Sequence, residues 1–129
     1  MISLPLRETF HSGTIFLSEI EIFKFISMNK YFLHSKLTAK DGQAEKLTSL
    51  LLDAAKIVSP IPGCIMYVIS KDKNDPDSTW VTEVWNSKQD HDQSLNNEQV
   101  KALISRAMPV LQGTPQKSQE LEVLGGRGI

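Results

Sequence analysis

The sequence predicts an α+β fold of the ferredoxin-like type, in which an antiparallel sheet carries helices on one face. Segments that alternate apolar and polar residues, typical of half-buried strands, are separated by segments with apolar residues at three- and four-residue spacing. The second spacing is typical of amphipathic helices. The order along the chain is β-α-β-β-α-β, with a small helix before the last long one, and this is the order of the split βαβ plan.

The first predicted strand is Tyr31–Thr38, and a long helix follows it. Apolar residues recur at helical spacing from Ala44 to Val58, with polar residues on the opposite side. Asp41 is the predicted N-cap of this helix, since a short carboxylate can accept backbone N–H groups there. Pro60 ends the helix because proline cannot continue the backbone hydrogen bonds.

The middle of the chain predicts a hairpin. Cys64–Ser70 is apolar on both faces, which favours a central strand or one covered on both sides. Turn-forming residues at Asn74–Asp77 connect it to the alternating strand Trp80–Trp85. Ser87 and Asp90, three positions apart, predict a capping box that opens a short helix directly after this strand.

The last part of the chain predicts one more helix and one more strand. Asn97 is the expected N-cap of a helix whose apolar stripe runs through Val100–Leu111. Pro109 should kink or end that helix. The final strand is predicted at Lys117–Leu124.

The composition is that of an ordinary globular domain and excludes several classes of function. The 129 residues carry a formal net charge of −1 without a basic run, which argues against a nucleic-acid partner. The only cysteine, Cys64, favours a reducing cytoplasm. The spacings of zinc sites, Walker loops and dinucleotide-binding glycine loops are missing from the sequence. We therefore expect no metal and no cofactor.

The N-terminal segment is predicted to lie outside the domain. Its apolar stretch, residues 13–27, is interrupted by Glu19, Glu21 and Lys24 and is shorter than the roughly 20 apolar residues of a membrane helix. We expect no membrane association. Residues 1–28 are interpreted as an extension, with Met28 a possible initiator, residues 29–125 as the domain, and residues 126–129 as a flexible tail.

Titratable side chains and a large apolar side chain come together at the end of the third strand. Glu83 and Trp85 share one face of that strand, and His91 follows in the first turn of the short helix. His91 is the candidate catalytic base because an imidazole exchanges protons near neutral pH. The alternative is a solvated histidine between Asp90 and Asp92. Glu83 is either a catalytic partner or a structural one, and Trp85 either walls a pocket or fills the core.

Two further residues are candidates for substrate binding. Tyr67, on the second strand, can donate a hydrogen bond to a ligand oxygen or can be a core tyrosine with a wet hydroxyl. Ser35 lies mid-strand on the same predicted face as Glu83. The opposite face, with His34 and Trp80, is predicted to bind a second subunit.

The chain resembles the antibiotic biosynthesis monooxygenase domains, which are quinol monooxygenase-like and belong to the dimeric α/β-barrel group. The residues that carry the resemblance are Pro62-Gly63-Cys64 after the long helix, Thr82-Glu83-Val84-Trp85-Asn86-Ser87, and then Asp90-His91 and Ser94-Leu95. The resemblance implies a homodimer whose two sheets form a shared barrel. It also implies a pocket between sheet and helices, where some members oxidise aromatic substrates with dioxygen and without metal or flavin.

Three functions are compatible with this resemblance. The first is a cofactor-independent monooxygenase acting on a small quinol or polycyclic phenol. The second is an isomerase or breakdown enzyme for a small dicarbonyl metabolite, and the third is a non-catalytic dimeric stress protein that binds a small ligand. Haem degradation is argued against, because Ser35 and Ile104 stand where haem-degrading relatives place an asparagine and an axial histidine.

Overall fold

The computed structural model describes residues 29–114 and 116–129, so the predicted N-terminal extension, residues 1–28, lies outside the described residues. Within them the chain forms four strands and three α-helices in the predicted order. The strands are β1 (Tyr31–Thr38), β2 (Cys64–Lys71), β3 (Ser78–Trp85) and β4 (Gln116–Glu122). The helices are α1 (Ala44–Val58), α2 (Lys88–Ser94) and α3 (Glu98–Ala107), and a 3₁₀ turn (Met108–Val110) follows α3.

The four strands form one antiparallel sheet in the order β2-β3-β1-β4. This confirms the ferredoxin-like α+β fold. Of the two alternatives predicted for Cys64–Ser70, the central strand was wrong, because β2 lies at an edge of the sheet. The other alternative, a strand covered on both sides, is not seen among the described residues, where Val68 is exposed. The two apolar faces of β2 lie in different environments. Tyr67 and Ile69 pack against the helices, whereas Val68 is exposed on the opposite face.

Within the described residues, the helices pack against one face of the sheet only. The register pairs Leu33 with Glu83 and Ser35 with Val81, so these residues share the helix-covered face. Leu47 and Leu51 of α1 belong to the same buried cluster as Val81. This packing places the core between α1, α3 and the sheet, because the apolar stripe of each helix must be removed from water.

Helix α1 has the predicted bounds, but its N-terminus differs from the prediction. The N-cap is Gln43, whose side chain makes no capping hydrogen bond. Asp41 lies in the preceding turn, where Gly42 has φ of +77°. That turn places the N-cap two residues past Asp41, so the prediction that Asp41 is the N-cap was wrong.

The predicted caps of the two later helices are present. The Asp90 backbone N–H donates to Ser87 Oγ at 3.1 Å, and the Gln99 N–H donates to Asn97 Oδ1 at 2.8 Å. The α-helical part of α3 ends at Ala107, two residues before Pro109. The sequence features that begin and end these helices therefore act locally, as expected for capping side chains and proline.

The face of the sheet that the described helices leave uncovered, called the open face, carries Phe32, His34, Lys36, Met66, Val68, Trp80, Thr82 and Val84. Val68 is exposed on it, whereas Val84 is fully buried. The Trp80 and His34 rings stack with centroids 4.5 Å apart, and Trp80 Nε1 donates to Asp72 Oδ2 at 2.9 Å. The C-terminal residues Gly125, Arg127 and Ile129 line a surface depression together with residues of this face. In the described part of the chain, no helix is long and apolar enough to cross a membrane.

Candidate functional site

A cavity of about 310 Å³ lies between the helix-covered face of the sheet and the helices. Most of its wall is apolar: Leu37, Leu51, Ala54, Ile57, Val58, Val81, Val100, Leu103, Ala107 and Leu111. Its polar residues are Ser35, Tyr67, Glu83, His91, Ser94 and Ser118. All five candidates from the sequence, including Trp85, line this one cavity.

Glu83 is a largely buried carboxyl group at the cavity wall. It projects from β3, and only 12% of its side chain is exposed. Its Oε1 accepts a hydrogen bond from Trp85 Nε1 at 2.9 Å and lies 3.8 Å from His91 Nε2. Burial raises the pKa of Glu83 because it disfavours the charged form, and this outweighs the opposing effects of the Trp85 hydrogen bond and of His91.

His91 is held against the sheet by α2 and is not a solvated surface side chain. Only 14% of its side chain is exposed. Its ring contacts Trp85 edge-on with centroids 5.9 Å apart, and the Tyr31 ring lies 5.4 Å away. Its Nδ1 is 2.9 Å from Asp92 Oδ1. The imidazole therefore lies between a buried carboxyl group and an exposed one.

Gly63 fixes the approach of α2 to the sheet. Its φ is +94°, and its carbonyl accepts a hydrogen bond from the Asn86 N–H at 2.8 Å. A Cβ atom at this position would lie 2.6 Å from Asp90 Oδ2, in the first turn of α2. The residue that precedes β2 and the first turn of α2 thus lie close together, and this close approach helps to place His91.

Gly63→Ala should destabilise the fold by about 1–3 kcal/mol from backbone strain, with a further cost from the contact with Asp90. Gly113→Ala is the matched control, because Gly113 has φ of +78° and nothing near its would-be Cβ. Urea unfolding of both variants measures the difference. Equal losses in the two variants would show that the close contact between Gly63 and α2 does not matter.

Tyr67 on β2 and Ser35 on β1 line the cavity from the two strands on either side of β3. Burial and the nearby Glu83 carboxyl raise the pKa of Tyr67, so its phenol stays a neutral hydrogen-bond donor at physiological pH. Ser35 is buried, and its Oγ lies 3.1 Å from Ser118 Oγ. Both residues can offer hydroxyl groups to a ligand oxygen.

Sequence reasoning missed Ser118 and the partner of Tyr31. Ser118 lies on β4 beside Ser35, and Tyr31 Oη donates to Glu120 Oε2 at 2.6 Å. The alternation of β4 places Ser118 and Glu120 on one face, but their partners depend on the pairing of β4 with β1. Among residues 29–114 and 116–129, no group of three or more potential metal ligands lies close enough to hold a metal ion.

The family model of antibiotic biosynthesis monooxygenases matches residues 31–106, which include β1 to most of α3. The chain belongs to the antibiotic biosynthesis monooxygenase family. No curated protein matches the chain in sequence.

Solved structures of related folds agree with this family assignment. A candidate antibiotic biosynthesis monooxygenase from Chloroflexus aurantiacus is 35% identical, covers 78% of this chain and 98% of its own, and superposes with a TM-score of 0.70. A second candidate monooxygenase, from Caulobacter crescentus, is 20% identical over 81% of this chain and 99% of its own, with a TM-score of 0.69. A protein from Pseudomonas aeruginosa is 23% identical, covers 77% of this chain and 98% of its own, and has a TM-score of 0.68. At these lower identities the likeness shows the shared fold.

The raised pKa of Glu83 predicts a pH-dependent effect on stability in this monooxygenase-family domain. The folded state holds the Glu83 proton more tightly than the unfolded chain, so this stabilisation is complete below the ordinary glutamate pKa and is lost as pH rises through the raised one. Glu83→Gln has no such proton, and its amide oxygen can still accept the Trp85 hydrogen bond. The melting temperature of Glu83→Gln minus that of wild type should therefore increase as pH rises from about 4 to about 8. A difference that is the same at every pH would contradict the burial effect.

Proposed function

We propose that this family member is a cofactor-independent monooxygenase that oxidises a small quinol or polycyclic phenol with dioxygen. The observation that carries the proposal is the pairing of Glu83 and His91, 3.8 Å apart, on the wall of an otherwise apolar cavity. An apolar wall suits an aromatic ring, and an acid–base pair suits the removal of a phenolic proton. The proposal does not require a bound cofactor, because an electron-rich phenolate can reduce dioxygen itself.

In the proposed reaction, the His91–Glu83 pair accepts the phenolic proton and leaves an electron-rich phenolate. The phenolate carbon forms a new C–O bond with one atom of dioxygen. The O–O bond then breaks, and the second oxygen atom leaves as water. The substrate supplies the four electrons that reduce dioxygen and gains one oxygen atom for the two hydrogen atoms it loses.

The remaining polar groups of the cavity would stabilise charge on the substrate oxygen. Tyr67 is a neutral phenol beside Glu83, and Ser35 and Ser118 present hydroxyl groups on adjacent strands. Donors arranged in advance around a developing oxyanion are worth more in a site that excludes water than in solution. Trp85 is fully buried and would form the rigid backing of the cavity wall behind Glu83 and His91.

Oxygen uptake with a panel of hydroquinones and polycyclic phenols tests this function. We expect consumption above the autoxidation rate, with one atom of isotopically labelled dioxygen in the product and the other in water. Turnover of dicarbonyl compounds without oxygen uptake would favour the isomerase instead. Melting-temperature shifts with aromatic ligands but no turnover of any substrate would favour a non-catalytic binding protein.

We also propose that the chain is a homodimer that buries the open face. Among the described residues, this face leaves Phe32, Met66, Val68 and Trp80 at least partly exposed. A stable interface typically removes about 1,200–2,000 Å² from water. Light scattering should therefore give twice the 14.4 kDa of one chain. Val68→Lys, at an exposed position of this face, should weaken the dimer, whereas Leu52→Lys, at an exposed position of α1, should not. A monomeric wild type at micromolar concentration contradicts the proposal.

A further inference from the structure

We infer that Asp92 is a positioning residue that fixes the tautomer and the ring orientation of His91. Asp92 Oδ1 lies 2.9 Å from His91 Nδ1, within hydrogen-bonding distance. An ionised carboxylate can only accept hydrogen bonds. The hydrogen of this contact therefore belongs to Nδ1, and the neutral imidazole is held as its Nδ1–H tautomer.

The second oxygen of Asp92 has a separate partner, so the carboxylate is held on both sides. Lys88 Nζ lies 3.0 Å from Asp92 Oδ2, one helical turn earlier on α2. The His91 hydrogen bond and, after it, Lys88 lower the pKa of Asp92, which keeps the carboxylate ionised at neutral pH. Oδ1 is thereby left to His91, although 51% of the Asp92 side chain is exposed.

The tautomer decides which atom faces the reaction. A neutral imidazole has one donor nitrogen and one acceptor nitrogen, so an Nδ1–H tautomer leaves a lone pair on Nε2. Nε2 is the atom that lies 3.8 Å from Glu83 Oε1, on the cavity side of the ring. The opposite tautomer would present a hydrogen to the substrate and could not accept its proton.

The other groups that face His91 do not compete for Nδ1. Glu83 approaches Nε2 from β3, and the Tyr31 hydroxyl, on β1, donates to Glu120 of β4. Trp85 contacts the ring with its edge, and its indole N–H donates to Glu83. When Nε2 takes a proton, the Asp92 carboxylate stabilises the resulting imidazolium. The catalytic part of this inference rests on the proposed function, whereas the tautomer does not.

NMR of protein labelled at the histidine ring nitrogens tests the tautomer without any substrate. His91 signals are assigned through His91→Gln and read at about pH 8, where an ordinary imidazole is neutral. We expect a protonated Nδ1 and an unprotonated Nε2 in wild type. Asp92→Ala should move the proton towards Nε2, Asp92→Asn should retain the wild-type pattern through its amide oxygen, and Lys88→Met should also retain it. A proton on Nε2 in wild type, or no change in Asp92→Ala, overturns the inference.

Turnover separates failure of the inference from failure of the proposed function. Asp92→Ala should lower kcat about 10–100-fold, the loss typical when the carboxylate that orients a metal-binding histidine is removed, and Asp92→Asn should recover part of it. A changed tautomer in Asp92→Ala with no oxidation of any phenol by wild type refutes the monooxygenase proposal and leaves the positioning role standing. A changed tautomer with full turnover refutes the catalytic part of the inference.

Discussion

Replacing His91 with alanine should lower the rate of substrate oxidation roughly 10²–10⁴-fold, the usual contribution of a positioned acid–base group. The variant loses the only imidazole of the cavity wall among the described residues, and Glu83 is left without its partner at 3.8 Å. The buried carboxyl cannot replace the imidazole fully, because burial already favours its protonated form.

The measurement is initial oxygen uptake across a range of pH for wild type and His91→Ala. His34→Ala is the matched control, since it removes an imidazole from the open face. Light scattering checks that this variant has the same oligomeric state as wild type. We expect the loss only in His91→Ala. An unchanged rate in this variant would remove the histidine from the mechanism and leave Glu83, or a substrate acidic enough to need no base.

Replacing Trp85 with phenylalanine should reduce stability and ligand affinity together. Trp85 is fully buried and lines the cavity, so the smaller ring leaves space in the core. The variant also removes the N–H that donates to Glu83 Oε1 at 2.9 Å. Loss of a donor to a buried polar group costs roughly 1–3 kcal/mol, and it should raise the pKa of Glu83 further.

Trp80→Phe is the control for this change, because Trp80 lies on the open face, away from the cavity, and its N–H likewise donates to a carboxylate, that of Asp72. Urea unfolding at two pH values and an aromatic-ligand titration are the measurements. Trp85→Phe should show the larger loss of stability, greater at high pH than at low pH, together with weaker binding. Equal losses in both variants, or unchanged ligand affinity in Trp85→Phe, would contradict the role of Trp85 at the cavity.

The sequence predicted most of the fold because its signals are local. The alternation of β1 and β3, the apolar stripe of α1, and the capping residues Ser87 and Asn97 each act within a few neighbouring positions. The two errors concern non-local or competing effects. Apolar residues on both faces of β2 do not reveal which strands will pair with it, and the turn at Gly42 overrides the capping preference of Asp41.

The acid–base part of the site was the easiest to predict because it is nearly continuous along the chain. Glu83, Trp85 and His91 lie within nine residues, on a strand and the helix that directly follows it. Ser118 could not be placed, because its contact with Ser35 depends on the pairing of β1 with β4, which has a register shift between His34 and Lys36. The role of Asp92 was hidden for another reason: an adjacent acid is compatible with a solvated histidine as well as with an oriented one.

The most direct test of the central claim is an anaerobic titration of wild type with a phenol that is neutral in solution at the pH used. The absorbance spectrum of the bound ligand distinguishes phenol from phenolate. We expect wild type to bind the phenolate and Glu83→Gln and His91→Ala to bind mainly the neutral phenol, with dioxygen then consuming the wild-type complex. A phenol that occupies the cavity of wild type and stays protonated would contradict proton removal by the Glu83–His91 pair.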